Sequence, residues 1–488
     1  MCDAAGNGER GSGLSERRML LADDATRDRR RPSAKIVLII AALVTLVAAL
    51  VTSAVLDRRG SADLARAEAQ ARAAGVAPTY KDKYYDQWRE VGRLTDNAAF
   101  YYEAAFSNLR YDGKIEESTK APLVGESTQM APEDARTPLP PEMLAETRKY
   151  LEARRNVVEL IHMGSALPRC VYSVRWDGLM TLVPHLTYAR RSARIIALQM
   201  WLYAEEGRSE DTAMLTEDGL ILGKSLLAEP AGISGNVAIA IETLIVDQGL
   251  SRVLSRTSPS NEELARVEKA LLQAAEDVSL RTAFAGEVAM VSDLYDRLLG
   301  GQVYTTTKEG RLVSATPARR AWLWFVRGDV KSNRAKAIRL VLEMVEKAGN
   351  RAPEALKADY RDGWKARLAG VKYVDCGLLA EGLAKLPVAG EKMRAKLRAA
   401  AACVAAMRFR NGTGSWPERL EELVPSYLDA VPLDPFTGNR LLYSVKDDGI
   451  IVYSVGENCV DDGGKPNLVQ PAKDDRKVYD DVGFRVWK

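Results

Sequence analysis

The sequence predicts a mainly α protein with an N-terminal transmembrane helix, an antiparallel helical array and a small C-terminal α/β module. Three observations carry this. Residues Ile36 to Leu56, IVLIIAALVTLVAALVTSAVL, form one uninterrupted apolar run. From Pro141 to about Leu386, one helical pattern follows another across short polar turns. Beyond Val431 and Pro432 that period stops, and two short apolar stretches flank Asp447-Asp448-Gly449, a strong hairpin signal. The expected organisation is a disordered cytoplasmic tail over 1–35, a transmembrane helix over 36–56, a helical stalk and loop over 57–140, an α-helical domain over 141–390 and an α/β module over 391–488.

Met1 to Lys35 is polar, rich in Gly and Arg and without periodicity, the composition of a disordered segment. Gly6, Gly8 and Gly11 match the dinucleotide fingerprint by letter, but no strand precedes them and no helix follows to hold a pyrophosphate. They read as chance composition. A helix over 36–56, rising ~1.5 Å per residue, reaches roughly 30 Å, which matches one bilayer core. Arg27, Arg29, Arg30, Arg31 and Lys35 precede it, against Asp57, Arg58 and Arg59 after it, so the cationic side places the tail in the cytoplasm and the rest outside. A cleaved secretory signal is the rival reading; its apolar region would be too long and start too late, and Thr52-Ser53-Ala54 is a poor cleavage site. A pilin-type leader needs a Gly before the run and a Glu early in it, and neither is present.

The 488 residues leave enough chain after the anchor for two or more domains with their own cores. Sixty-nine basic against 66 acidic residues give a formal charge of +3, too little to recruit nucleic acid. Of five cysteines, Cys170, Cys376, Cys403 and Cys459 fall outside the membrane, where disulfides persist. Their wide spacing excludes a CxxC site and leaves connectivity open, and Cys403, within AAAACVAAM, reads as core packing.

After the membrane, Ser61 to Ala74 has the composition of a helical stalk, ended by Gly75 and Pro78. Tyr84, Tyr85 and Trp88 follow, then Asp96 to Leu109, where Ala99, Tyr102, Ala105, Phe106 and Leu109 share one helical face and read as core. Tyr111 to Pro141, with its many prolines and glycines, is an irregular loop. Helices are expected over Glu142–Met163, Leu186–Glu206, Ser209–Ala228 and Ser234–Leu254, and Ser260 with Glu263 forms a capping box opening another. Leu280–Leu299, Lys331–Lys347 and Glu354–Ala369 continue the array, which is tetratricopeptide-like in shape without a regular repeat. Gly300 to Pro317 is a loop or short hairpin. Glu391–Arg410 is a helix with a small-residue face, and Ser415 with Glu418 is spaced as a capping box for a short helix through Leu423. Strands follow over Arg440–Val445, Gly449–Val455 and Gly483–Trp487.

The run Trp416-Pro417, Leu420 to Pro425, Tyr427-Leu428, Val431 to Phe436, Gly438, Leu441, Tyr443, Val452 to Gly456 and Asp461 to Gly464 resembles the C-terminal part of G-type pseudopilins of type II secretion. The resemblance implies a long helix, a small antiparallel sheet and a calcium site in a loop rich in Gly and Asp. Upstream, DNAAFYYEAAF, LPRC and LAEPAGIS resemble large membrane-anchored bacterial envelope proteins bearing the same tail. Together these imply a single-pass protein of the bacterial inner membrane with most of its chain in the periplasm. Because the leader is missing and a helical domain separates anchor from tail, the chain is not expected to pack into a pseudopilus in the usual way.

Calcium takes six to eight hard oxygens from carboxylates and carbonyls. Asn458, Asp461, Asp462, Asp480 and Asp481, with Glu457 beside them, are the candidate ligands, and Gly463 and Gly464 allow a tight path. The same composition also describes a solvated turn, and Cys459 is not a hard ligand. No catalytic constellation is apparent. His162 and His185, the two histidines, belong to no HExxH pattern and read as helix-end or core residues. No GxSxG elbow occurs. Glu217 and Asp218 are adjacent and point to different faces. Gly219 to Ser225 approximates a P-loop but is one residue short and lies in a helical pattern, and Arg327-Gly328-Asp329 reads as a turn. The expected role is binding or scaffolding in the envelope, near secretion-like machinery, with the membrane and envelope or secretion proteins as partners. The alternative is a periplasmic hydrolase whose acidic groups converge only in the fold.

Overall fold

The computed structural model describes residues 33–84, 95–110, 119–124 and 134–487, apart from 305–311, 350, 352–355, 375 and 465–479, together with positions 89, 91 and 132. The expected tail up to residue 32, its glycines, Tyr85 and Trp88 lie outside the described residues.

The apolar run and the expected stalk are one continuous helix, α1 (Ala34–Ala73), whose start is capped by Ser33 accepting from the Ile36 amide. Among the described residues it alone is long and apolar enough to cross a membrane. Its apolar half is bare. Further on, Ser53, Gly60, Ala67 and Ala71 recur on one face and are buried. They pack against α12 (Pro317–Gly349), which runs parallel to α1. The Ser53 hydroxyl donates to the Phe325 carbonyl at 2.8 Å, Lys331 Nζ reaches Asp57 at 2.8 Å, and Arg334 meets Glu68 at 3.2 Å. Where the axes cross, a Cβ on Gly60 would stand 2.1 Å from the Gly328 carbonyl oxygen, so only glycine on both sides permits this approach. Arg327-Gly328-Asp329, expected as a turn, is therefore a helical contact. The helix expected from Lys331 begins already at Pro317, a residue suited to a first turn.

Most of the remaining chain is helical, in the order α2 (Tyr80–Lys83), α3 (Ala99–Ser107), α4 (Pro141–Glu152), α5 (Arg155–Ser165), α6 (His185–Glu205), α7 (Thr212–Leu227), α8 (Gly232–Leu244), α9 (Ser251–Arg256), α10 (Asn261–Asp277), α11 (Arg281–Leu299), then α13 (Ala358–Ala369) and α14 (Gly377–Thr413). A small hairpin, β1 (Gln302–Tyr304) and β2 (Leu312–Ser314), precedes α12. Ala99, Tyr102, Ala105, Phe106 and Leu109 are all buried, as their spacing predicts. The helix expected over Glu142–Met163 instead breaks at Ala153 and Arg154, where the Arg154 guanidinium lies 3.8 Å from the Tyr150 ring. Ser234–Leu254 contains a π turn, Ile245–Leu250, between α8 and α9. That turn leaves the Gln248 carbonyl to accept from the Trp201 indole at 2.7 Å. At the start of α10, Ser260 accepts from the Glu263 amide at 3.2 Å, while the Glu263 carboxylate leaves the box and accepts from Ala213 in α7.

α14 runs unbroken across the expected boundary at 390. Its small face, Ala399 to Ala406 with Cys403, is buried between α10 on one side and the C-terminal sheet on the other. Side chains of that size let both layers approach one helix. The sheet has the order β3 (Leu442–Lys446), β4 (Gly449–Ser454), β5 (Val482–Trp487), antiparallel throughout, with Lys446 opposite Gly449 around Asp447 and Asp448. Ser415 and Glu418 do not form a capping box; a 3₁₀ turn, Leu420–Leu423, stands there, and the Glu418 amide donates to Glu422. Buried Asp434 ties the preceding loop to the end of β4 by accepting from Phe436 N, Ser454 Oγ and Val455 N at 2.8, 2.8 and 3.1 Å. One contiguous apolar core runs from Ala67 to Val486, and the four described cysteines are free thiols.

Candidate functional site

A depression of about 770 Å³ lies between α3, segment 171–184 and the first turn of α6. Its wall mixes charge and apolar surface. Arg110, Arg175 and Asp177 stand beside Met180 and Leu182, the latter 82% exposed. Glu103 is anchored by accepting from the Ser173 amide at 3.0 Å, and Asp177 by the Arg297 guanidinium at 2.5 Å. The inner end of the groove is His185.

Pro184 starts α6 and turns the next side chain, His185, inward. Its ring stacks on Tyr172 at 4.6 Å, and Nε2 faces Glu229 Oε1 at 2.8 Å. Glu229 comes from the turn after α7, and its other oxygen accepts from the Ser234 hydroxyl at 2.6 Å. Behind the ring, Ser225 donates to the Leu222 carbonyl at 2.7 Å, so the Tyr172 phenol donates to Ser225 Oγ at 2.8 Å. Burial pushes the Cys170 thiol beside them up to about 12, which keeps it protonated at neutral pH. The arrangement is thus a buried imidazole and carboxylate at the end of a groove able to take an extended ligand.

Ser165, His162 and Asp218 also meet, in the wall between α5 and α7. Asp218 Oδ2 lies 3.1 Å from His162 Nδ1, and Ser165 Oγ donates to Asp218 Oδ1. The carboxylate sits in the middle, with serine and histidine both bound to it, whereas a nucleophilic serine needs the imidazole on its own hydroxyl. Burial raises the Asp218 carboxyl above its ordinary range, against the pull of Ser165 and His162. Glu217, on the opposite face, pairs with Arg266 at 2.9 Å. This group fastens α5 to α7.

The candidate calcium ligands do gather at the edge of the C-terminal sheet. Asp462 Oδ2 accepts from Asn458 Nδ2 and from the Asp480 amide, at 3.1 and 3.2 Å. Buried Asp481 accepts from the amides of Asp462 and Gly464 at 3.3 and 2.8 Å. Asp480 takes Lys392 Nζ at 2.6 Å and the Asn458 amide at 3.1 Å, while Asp461 takes Tyr453 OH at 3.0 Å and the Gly463 amide at 2.8 Å. Glu457 is held by Arg361. In this arrangement each of these carboxylates already accepts N–H or O–H donors from the chain. Among the described residues no group of three or more His, Cys, Asp or Glu side chains is placed to hold a metal ion.

Sequence reasoning did not bring His185 to Glu229, because the two lie on different elements and share no motif. The available signal was a charged residue, Glu229, set with Pro230 in an otherwise apolar stretch. No model of a protein family matches the chain, and no curated protein or solved structure does either.

Proposed function

We propose that this chain is a single-pass membrane protein that holds a helical binding or scaffolding body against the bilayer surface, with its tail in the cytoplasm and its body in the periplasm. The observation that carries the reading is the division of α1: its apolar run is bare up to Thr52, and from Ser53 on the helix is clamped to α12 by Ser53, Asp57, Gly60 and Glu68. A continuous helix that is both membrane anchor and part of the core fixes the body's height and orientation. A flexible stalk would not. The groove ending at His185 is the recognition surface, suited by Arg110 and exposed Met180 and Leu182 to an extended peptide with acidic and apolar side chains. The resemblance of the C-terminal segment to pseudopilins is the reason for seeking the partner in secretion-like machinery.

A photo-crosslinking residue at Leu182 in the membrane-embedded protein tests this. Reproducible capture of one envelope protein, abolished by reversing the charge of Arg110, is the expected result; labelling indifferent to that charge contradicts it. The rival reading, an envelope hydrolase, draws on one observation, the His185 and Glu229 pair at the end of the groove. It requires hydrolysis lost in His185→Gln.

A further inference from the structure

We infer that the N-terminal turns of α12 are a second membrane contact: a foot of Trp322, Trp324 and Phe325 seated in the lipid interface of the leaflet from which α1 emerges. The inference rests on α1 spanning the membrane, as proposed above.

Depth is the first argument. Ser53 lies within the apolar run, one turn before Asp57, and its hydroxyl bonds the Phe325 carbonyl at 2.8 Å. Phe325 therefore sits at the outer end of the span. Because the two helices run parallel, every residue before Phe325 points back towards the bilayer, and Trp322 lies ~4.5 Å deeper along the helix axis. The first turns of α12 are thus placed at lipid level by the same contacts that join α12 to α1.

Chemistry is the second. Trp322, Trp324 and Phe325 are 49%, 48% and 38% exposed, while Leu323 between them is buried against the body. Pro317 to Trp322 are all exposed. Such a cluster of large rings facing water would be costly, and it continues the bare surface of Val51 and Val55 on the neighbouring turns of α1. Indole rings, with an apolar body and one N–H, favour the headgroup boundary. The cations are placed to match: Arg327 lies 4.5 Å from the Trp324 ring while pairing with Asp57 at 2.9 Å, and Arg319 and Arg320 are exposed in the first turn of α12, where long stems can carry a guanidinium towards the headgroups. A bilayer supplies both the apolar and the anionic half of this surface. Two contacts, one spanning and one interfacial, limit how far the body can tilt against the membrane and so fix the height of the groove above it.

The test uses full-length protein in vesicles of phosphatidylcholine and phosphatidylglycerol, with and without lipids brominated near the headgroup, reading tryptophan fluorescence. Flotation of the vesicles after alkaline carbonate washing reports separately on the spanning helix. The expected result is a bromine-quenched component in the wild type that disappears in W322F/W324F, partly in each single variant, with flotation and melting temperature unchanged. Floated wild-type protein whose fluorescence ignores bromine would mean that protein, not lipid, covers the rings, and would overturn the foot while leaving the span standing. Quenching that survives in the double variant would also overturn it. Protein that washes off with carbonate would overturn both.

Discussion

Replacing Gly328 with Ala probes the joint between anchor and body with a single methyl group. A Cβ at this position lies 2.3 Å from the Leu56 carbonyl carbon and 2.4 Å from the Asp57 amide nitrogen, backbone atoms that no rotamer change can move. Taking ~3.5 Å as a comfortable approach, the helices must part by roughly 1 Å. Overpacking of this kind costs about 1–3 kcal/mol, and Ala recovers under about 1 kcal/mol of that through its helix propensity. The net loss is therefore about 0–2 kcal/mol, a fall of up to a few degrees in melting temperature at ~2 °C per kcal/mol for a large domain. Gly363 in α13 is the control, since a Cβ there meets nothing within 4 Å. The same Gly→Ala change at 363 keeps only the propensity gain and raises the melting temperature. Scanning fluorimetry of detergent-solubilised protein reads both. Equal shifts of the same sign would refute the claim that α1 and α12 are in backbone contact.

Three further outcomes follow from buried and bound charge. Glu205 accepts from buried Arg252 at 2.8 Å and from Arg256 at 3.0 Å, so Glu205→Gln strands two guanidinium groups and costs about 3–5 kcal/mol in denaturant melts; a loss below about 1 kcal/mol would mean the pair is solvated. Burial pushes Glu242 up to about 8 and Glu287 up to about 7, from 4.5, so each is protonated in the fold and stabilises it fully below 4.5. That contribution is lost as pH rises towards these folded values, because the unfolded chain releases its proton first. Melting temperature should fall between about pH 5 and about pH 8, and Glu242→Gln should flatten the slope; an unchanged slope contradicts the assignment. With Asp462, Asp480 and Asp481 already bound to N–H donors, melts in calcium and in chelator should coincide, and a rise of several degrees in calcium would show that the loop surrenders those donors to the ion.

What could be read in the sequence was what depends on neighbours along the chain. The α3 face shows in the spacing of Ala99, Tyr102 and Phe106, the α10 start in Ser260, and the β3–β4 turn in Asp447-Asp448-Gly449, since period, cap and turn are local chemistry. Arg327-Gly328-Asp329 misled because the glycine is there for Gly60, a residue of a distant helix, and not for a turn. The π turn near Trp201 likewise reflects a side chain from a distant helix taking a place in the helical ladder. The candidate site was legible only in pieces. His185 and the carboxylates of 458–481 were visible as residues, but their partners, Glu229 and the amides and Lys392, are set by tertiary packing.

The central claim is that α1 carries the chain through a membrane and holds the body on its outer side. Protease added to spheroplasts expressing the protein with an N-terminal tag tests it directly. The account predicts loss of the body and survival of a short tagged fragment, tail plus span, in the membrane pellet. A full-length chain protected from the protease, or a tagged chain recovered in the soluble fraction, would contradict it.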